Sequence, residues 1–123
     1  MAESVTIVED VSPITEYGLA ISVVFTATTW AAFSLGSGEL YSQFRNHPRS
    51  TEVLWSCSTV SGEITRPGSY TVVVTIPDSA GEALSAAPYV YFDFVHEDGG
   101  VYTAIPALIK WPTAPVVTKK VDL

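Results

Sequence analysis

The stretch that decides the fold runs from Tyr89 to Ile109 and reads YVYFDFVHEDGGVYTAIPALI. Aromatic and β-branched residues dominate it on both sides of Asp98-Gly99-Gly100, and such residues favour β-strands. The Asp-Gly-Gly sequence predicts a tight hairpin turn between two strands. Pro106 interrupts the second strand, which suits an edge strand or a β-bulge because proline cannot donate a ladder hydrogen bond. The stretch therefore predicts a long β-hairpin.

Similar runs, separated by turn residues, extend over most of the chain. The strongest is SYTVVVTI at residues 69–76, and residues 39–45 alternate so that Tyr41, Gln43 and Arg45 share one face. Residues 26–35 fit either a strand or a single helical turn, and residues 78–84 predict a short helical corner between strands. Seven to nine short strands with frequent turns predict an all-β fold, a β-sandwich.

The length of 123 residues is typical of one domain. We expect the β-sandwich domain to span residues 18–111. Residues 1–17 would form an amino-terminal arm or a first strand, and residues 112–123 an extended carboxy-terminal tail. The first residues, Met-Ala-Glu-Ser, do not form a basic segment followed by an apolar run, so no secretory signal is expected.

The amino-acid composition limits the classes of partner that the chain is expected to bind. Thirteen acidic residues against six Lys and Arg leave no basic track for nucleic acid and disfavour an anionic membrane surface. No apolar stretch approaches the length of a membrane span. Charged residues make up only 15% of the chain, against about 25% in average proteins. Part of the apolar surface is therefore expected to meet another protein, unless Ser and Thr cover the outside.

Few residues suggest chemistry. Cys57 is the single cysteine, so no intrachain disulfide forms, and its apolar strand indicates a core residue rather than a nucleophile. His96 is expected at the surface near a hairpin end, because the chain lacks enough ligands for zinc. Asp93 is expected to face solvent or to accept a hydrogen bond from a neighbouring strand. Neither a catalytic residue nor a metal or other cofactor is therefore predicted.

Three tryptophans, Trp30, Trp55 and Trp111, lie on different predicted elements, which disfavours a single sugar-stacking surface. Trp111, between Lys110 and Pro112, is expected to be exposed and to act as an interface anchor.

The two ends carry apolar residues that a self-contained sandwich does not need. One end is expected to add a strand to the exposed sheet edge of a neighbouring subunit. Deleting residues 112–123 should then abolish assembly and leave thermal unfolding largely intact. The predicted interface residues are Val5, Ile7, Trp111, Pro112, Val116 and Val117.

The order of the turns and strands resembles one known family over residues 18–118. The matching segments are Phe44-Arg45, Gly62-Glu63-Ile64, Tyr70 to Pro77, the corner Asp78 to Leu84, Tyr89 to Asp93, Asp98-Gly99-Gly100 and Val116-Val117-Thr118. This pattern resembles the immunoglobulin-like domain of tailed-phage virion proteins, of the type found at the amino terminus of baseplate upper proteins. The resemblance implies an immunoglobulin-like β-sandwich.

The resemblance also implies a structural role without enzymatic activity. Such a protein would be a decoration or adaptor subunit of the virion that binds capsid or tail proteins as a homo-oligomer or in multiple symmetric copies. The alternative is a receptor- or carbohydrate-binding module on the particle surface.

Overall fold

The computed structural model of the chain describes residues 5–9 and 11–116, with side chains from residue 11 onward. This part of the chain contains eight strands and two short helices. In chain order they are β1 (Val5–Glu9), β2 (Leu19–Phe25), α1 (Ala27–Ala32), β3 (Glu39–Arg45), β4 (Trp55–Ser58), β5 (Ile64–Gly68), β6 (Thr71–Ile76), α2 (Asp78–Leu84), β7 (Tyr89–Asp98) and β8 (Val101–Pro112).

The strands form two four-stranded sheets, in the orders β1-β2-β6-β5 and β4-β3-β7-β8. Every pairing between these strands is antiparallel. These orders match the two sheets of an immunoglobulin sandwich, with one further strand beside the third. The predicted all-β, immunoglobulin-like sandwich of seven to nine strands is therefore confirmed, as is the helical corner at residues 78–84.

The core lies between the sheets because alternate residues of each strand point inward. In β6 the inward residues are Val72, Val74 and Ile76, all almost fully buried. Four aromatic rings, from Phe25, Phe44, Phe92 and Phe94, pack in this core, and the contact of Phe25 with Phe94 joins the two sheets. The Phe25 and Phe94 ring centroids lie 5.8 Å apart, edge to face, and those of Phe44 and Phe92 lie 4.4 Å apart and stacked.

Residues 26–35, which the sequence left open, contain the helix α1. Thr26 caps it, since its hydroxyl accepts a hydrogen bond of 3.1 Å from the Thr29 amide. The helix ends after Ala32, and the chain turns through Ser34, whose φ of 54° is left-handed. The turn returns the chain to the start of β3.

The predicted hairpin joins β7 to β8. The last cross-strand pair is Asp98 with Val101, and Gly99 and Gly100 have φ angles of 60° and 88°. Positive φ at both central residues is the geometry of the tight hairpin turn that suits the twist of the strands. Pro106 lies in the edge strand β8 at a break in its register, as the sequence indicated.

At both ends the sandwich extends beyond residues 18–111. Val5–Glu9 pairs with β2 as a strand of the sandwich, and Ile14 is completely buried in the core. At the other end, β8 continues to Pro112, whose carbonyl accepts a hydrogen bond of 3.0 Å from the Ile14 amide. The Ala114 amide donates to the Ile14 carbonyl over 2.9 Å. Residues 112–114 thus belong to the folded body, and residues 117–123 lie outside the described part.

Candidate functional site

Trp111 is not the exposed anchor that the sequence predicted. Its side chain is 1% exposed, and its indole Nε1 donates a hydrogen bond of 2.8 Å to the Ser12 carbonyl. The residue points inward because it pairs with Val90 of β7, which is also buried. The expectation of exposure was wrong because sequence position between Lys110 and Pro112 does not reveal which face of β8 meets the core.

The structure describes the side chains of two of the other predicted interface residues. Pro112 and Val116 are half-buried. Val5 and Ile7 lie in β1, in register with Phe25 and Val24 of β2. Val117 lies outside the described residues. Their role in an interface stays a prediction.

His96 is buried, so the prediction that it lies at the surface near a hairpin end was wrong. Its Nε2 lies 2.7 Å from the Ser37 carbonyl, and a carbonyl can only accept, so Nε2 carries the proton. Arg66 of β5 donates to the carbonyls of Leu35 and Gly38 in the same turn, over 3.0 and 2.9 Å. His96 therefore serves to hold the turn before β3.

Cys57 occupies the core, as predicted. It is 5% exposed on β4. Burial, with a smaller contribution from Glu63, raises the pKa of the thiol to about 12. Such a thiol carries almost no thiolate near neutral pH and is a poor nucleophile. No group of three or more His, Cys, Asp or Glu side chains within residues 5–9 and 11–116 could hold a metal ion.

The most distinctive surface lies on the outer side of the β4-β3-β7-β8 sheet. We call it the tyrosine face and define it by five outward side chains, Tyr41, Gln43, Asp93, Val95 and Tyr102. Together with Ser42 they line a depression of about 310 Å³. Tyr102 is 66% exposed, and the Tyr41 and Tyr102 ring centroids lie 6.3 Å apart with the rings tilted by 47°.

The strand register explains how these residues meet. Tyr41 pairs with Val95 across β3 and β7, Val95 pairs with Ala104, and Tyr102 pairs with Glu97 across β7 and β8. Since neighbouring strands lie about 4.8 Å apart, side chains from β3 and β8 start about 10 Å apart. The shorter distance between the two ring centroids shows that the rings lean towards each other over β7.

A break in the ladder lies beside Asp93. Phe92 pairs with Ile109 and Phe94 pairs with Ile105. Asp93, the single residue between the two phenylalanines, therefore lies opposite three residues of β8, 106–108. Such a bulge bends a strand and re-aims its side chains. On the other side, Ser42 Oγ donates to the Asp93 carbonyl over 2.6 Å. Asp93 is thus fixed through its backbone, while its side chain stays exposed.

The electrostatics of the tyrosine face are predominantly negative. Desolvation raises the pKa of Asp93, and Arg45 opposes this shift. Arg45 is itself engaged, since its guanidinium donates to Gln43 Oε1 over 2.7 Å and to the Ser50 carbonyl over 2.9 Å. No side chain in the described part of the chain donates a hydrogen bond to the Asp93 carboxylate. The pKa of Tyr41 is also raised, first by desolvation and then by the nearby Glu97.

Two further depressions continue the tyrosine face to either side. One, of about 320 Å³, extends from Gln43 towards Ser56 of β4. The other, of about 250 Å³, extends from Gln43 and Asp93 towards Tyr91 and Leu108. Leu108 is 59% exposed, so the outer side of this sheet presents aromatic and apolar groups around a small number of polar ones.

The sequence contained part of the signal for this site. The alternation of residues 39–45 already placed Tyr41 and Gln43 together on one side of a strand. What it could not supply was the pairing of β3 with β7 and β8, which brings Asp93 and Tyr102 beside them. The three tryptophans lie on separate elements, α1, β4 and β8, as predicted.

Comparison with known proteins finds no family model, no curated protein and no solved structure that matches this chain. Neither α1 nor α2, the helices of the described residues, is long and apolar enough to cross a membrane.

Proposed function

We propose that this chain is a non-enzymatic structural component of a tailed-phage virion, which binds capsid or tail proteins as a decoration or adaptor subunit. The resemblance of its motifs to phage immunoglobulin-like domains supports this role, and the strand order of the sandwich is compatible with it. The single observation that carries the proposal is the tyrosine face. Exposed aromatic and apolar groups gathered on one sheet are typical of surfaces that meet another protein.

The face is a better contact surface than the sheet edges. Among the described strands, β5 contains Pro67, β8 contains Pro106 and a break in register, and β1 has a break after Val5. The remaining edge strand, β4, has only four residues. Short edges, prolines and bulges are the features that keep proteins from pairing edge to edge. We therefore place the contact on the outer face of β3, β7 and β8.

The chemistry of the buried groups suits a structural role. The Cys57 thiol stays protonated in the core, and the His96 ring is occupied by the Ser37 carbonyl. Neither group is among the residues that line the depression between Tyr41, Asp93 and Tyr102. In this proposal the virion is where the protein works, and it acts in multiple symmetric copies.

The test is to quantify the chain by mass spectrometry in purified phage particles whose genome encodes it. We expect a fixed ratio to the major capsid protein, on the order of tens to hundreds of copies for decoration and a handful for a tail adaptor. A density map of the same particles would then place it on the head or the tail. Absence from particles that retain their capsid and tail proteins would contradict the proposal.

A receptor- or carbohydrate-binding module is a second candidate. The three tryptophans are scattered over separate elements, but Tyr41 and Tyr102 lie together on one face and offer a stacking surface. Sugar rings stack on aromatic side chains, and Asp93 and Gln43 could bind their hydroxyls. Binding of the isolated protein to a glycan array, lost in Tyr102→Ala and kept in Tyr70→Ala, would support this candidate. Tyr70 is a suitable control because it is 42% exposed and packs against Trp30, away from the tyrosine face.

A further inference from the structure

We propose that the depression between Tyr41, Asp93 and Tyr102 binds the guanidinium group of an arginine side chain presented by a partner protein. This inference rests on the proposed function, because it names the chemistry by which the tyrosine face would hold its virion partner. It commits to a protein partner rather than to a sugar or to a second copy of this chain.

The shape of the depression suits one planar group. The tilted rings of Tyr41 and Tyr102, with centroids 6.3 Å apart, form an open wedge above β7. Val95, in register with Tyr41, lines the depression between them, and Gln43 and Asp93 supply its polar side. A volume of about 310 Å³ lies at the lower end of the range for ligand pockets, which favours a single side chain.

The charge of the depression favours a cation. Glu39 and Glu97 lie near enough to Tyr41 to disfavour its ionisation. The Asp93 carboxylate receives no side-chain hydrogen bond from the described residues, and the nearby cation Arg45 already donates to Gln43 and Ser50. With a formal net charge of -7, the whole chain attracts cations and repels anions.

Guanidinium fits these groups better than ammonium does. Its plane stacks on tyrosine rings, and its parallel N–H groups can bind a carboxylate in a bidentate manner. An ammonium group would act as a point charge beside the carboxylate and has no plane to stack on either ring. A cation over a tyrosine ring contributes about 0.5–2 kcal/mol, depending on how far it is desolvated.

A second copy offers few suitable cations. Among the described basic residues, Arg45 and Arg66 donate to groups of their own chain, and the Lys110 ammonium lies 4.1 Å from the centroid of the Tyr89 ring. Arg49 is exposed and is the remaining described candidate for a contact between copies. The charge complementarity is therefore better met by a basic segment of another protein.

The test is an NMR titration of the ¹⁵N-labelled full chain with the peptide acetyl-Gly-Arg-Gly-amide at low salt. The matched probe carries citrulline, which has the same shape as arginine and no charge. We expect the arginine peptide to shift the amides of Tyr41, Val95 and Tyr102, and the citrulline peptide to bind at least about tenfold more weakly. Asp93→Asn should weaken arginine binding by about tenfold as well, and Tyr102→Ala by a similar factor.

Glu82→Gln is the matched control, since it makes the same change of charge on the exposed surface of α2. It should leave the titration unchanged. Equal binding of the two peptides, or wild-type binding by Asp93→Asn, would overturn the inference. So would a dimer, seen by light scattering, that Asp93→Asn dissociates, because the occupant would then be a second copy.

The particle experiment separates this inference from the proposed function. If Asp93→Asn and Tyr102→Ala are incorporated into particles as well as the wild type, the arginine site is refuted and the structural role stands. If the wild-type chain is absent from particles, the proposed function fails whatever the peptide does. Binding of a neutral glycan in place of the arginine peptide would overturn the inference in favour of the second candidate.

Discussion

The indole of Trp111 joins the end of β8 to the segment that precedes β2. Replacing it in Trp111→Phe removes the hydrogen bond to Ser12 and leaves a small cavity, so we expect a loss of about 1–3 kcal/mol of unfolding free energy. Urea unfolding followed by circular dichroism would measure it. Tyr102→Phe, at a side chain that is 66% exposed, is the control and should change stability by less than about 0.5 kcal/mol. An unchanged midpoint for Trp111→Phe would contradict the buried position.

The thiol of Cys57 should be inert in the folded protein. Since its pKa is raised to about 12, we expect a disulfide reagent such as dithionitrobenzoate to react about 100-fold more slowly with the native protein than with the urea-unfolded one at the same pH. Absorbance of the released thiolate gives both rates. Equal rates would show that the thiol is accessible and its pKa ordinary.

The same shift in pKa makes stability depend on pH. The unfolded thiol loses its proton near 9.0 and the folded one near 12, so between these values the unfolded state binds fewer protons. The contribution of Cys57 is therefore complete below pH 9 and falls as the pH rises towards 12. We expect the wild type to lose more unfolding free energy than Cys57→Ala between about pH 8 and about pH 10.5. Parallel losses in the two proteins would contradict this.

Between α1 and β3, the turn from Leu35 to Gly38 is held from both sheets of the sandwich. Gly38 has a φ of 68°, and a Cβ there would lie 2.5 Å from the Glu97 carbonyl oxygen and 2.8 Å from His96 Nε2. Gly38→Ala therefore combines backbone strain with a clash, and we expect a loss of about 3 kcal/mol.

Gly62→Ala separates the two effects. Gly62 also has a left-handed φ, of 93°, but a Cβ there would meet nothing within 4 Å. We expect a loss of only about 1 kcal/mol, from strain alone. Thermal unfolding of both variants tests the difference. Similar losses would mean that the Gly38 turn has room to move away from Glu97 and His96.

The bulge in β8 shows how one element serves both fold and surface. Residues 106–108 interrupt the ladder opposite Asp93, which hinders edge pairing, and Leu108 of this bulge lines a depression together with Asp93. Pro106 suits this place because its missing amide hydrogen is not needed where the ladder is interrupted.

At the scale of the whole molecule, backbone hydrogen bonds link the segment before β2 to the end of β8 and the residues that follow it. Ile14 bonds to Pro112 and Ala114, and the Thr113 amide donates to the Pro88 carbonyl over 3.2 Å. Deleting residues 112–123 removes these bonds, so we expect it to cost about 2–4 kcal/mol of unfolding free energy. This reverses the sequence-based expectation that the deletion would leave thermal unfolding intact.

The matched truncation removes only residues 117–123 and keeps all of these hydrogen bonds. We expect this shorter truncation to melt several degrees above the variant that lacks residues 112–123, and therefore closer to the full chain. Differential scanning calorimetry of both truncations and the full chain makes the comparison. Equal melting temperatures for the two truncations would show that the bonds of residues 112–114 contribute nothing to stability.

Local sequence was sufficient for the elements whose cause is local. The alternation in residues 71–76 and 39–45, the glycines at 99 and 100, and Pro106 each predict their structure through period, turn geometry or a missing donor. Cys57 could also be placed in the core, because the apolar residues Val53, Leu54 and Trp55 precede it in the same predicted strand. These features together determine an all-β sandwich with one long hairpin and a helical corner.

Tertiary structure alone decided which face of each strand meets the core at the ends of the chain, and what gathers on the outside. Trp111 and His96 lie on inward faces of their strands, where the carbonyls of Ser12 and Ser37, distant in sequence, accept their hydrogen bonds. The tyrosine face exists because β3, β7 and β8 are neighbours, although Tyr41 and Tyr102 are far apart in the chain. Strand order and register depend on the packing of the whole core, and a residue's own neighbours in sequence carry no record of them.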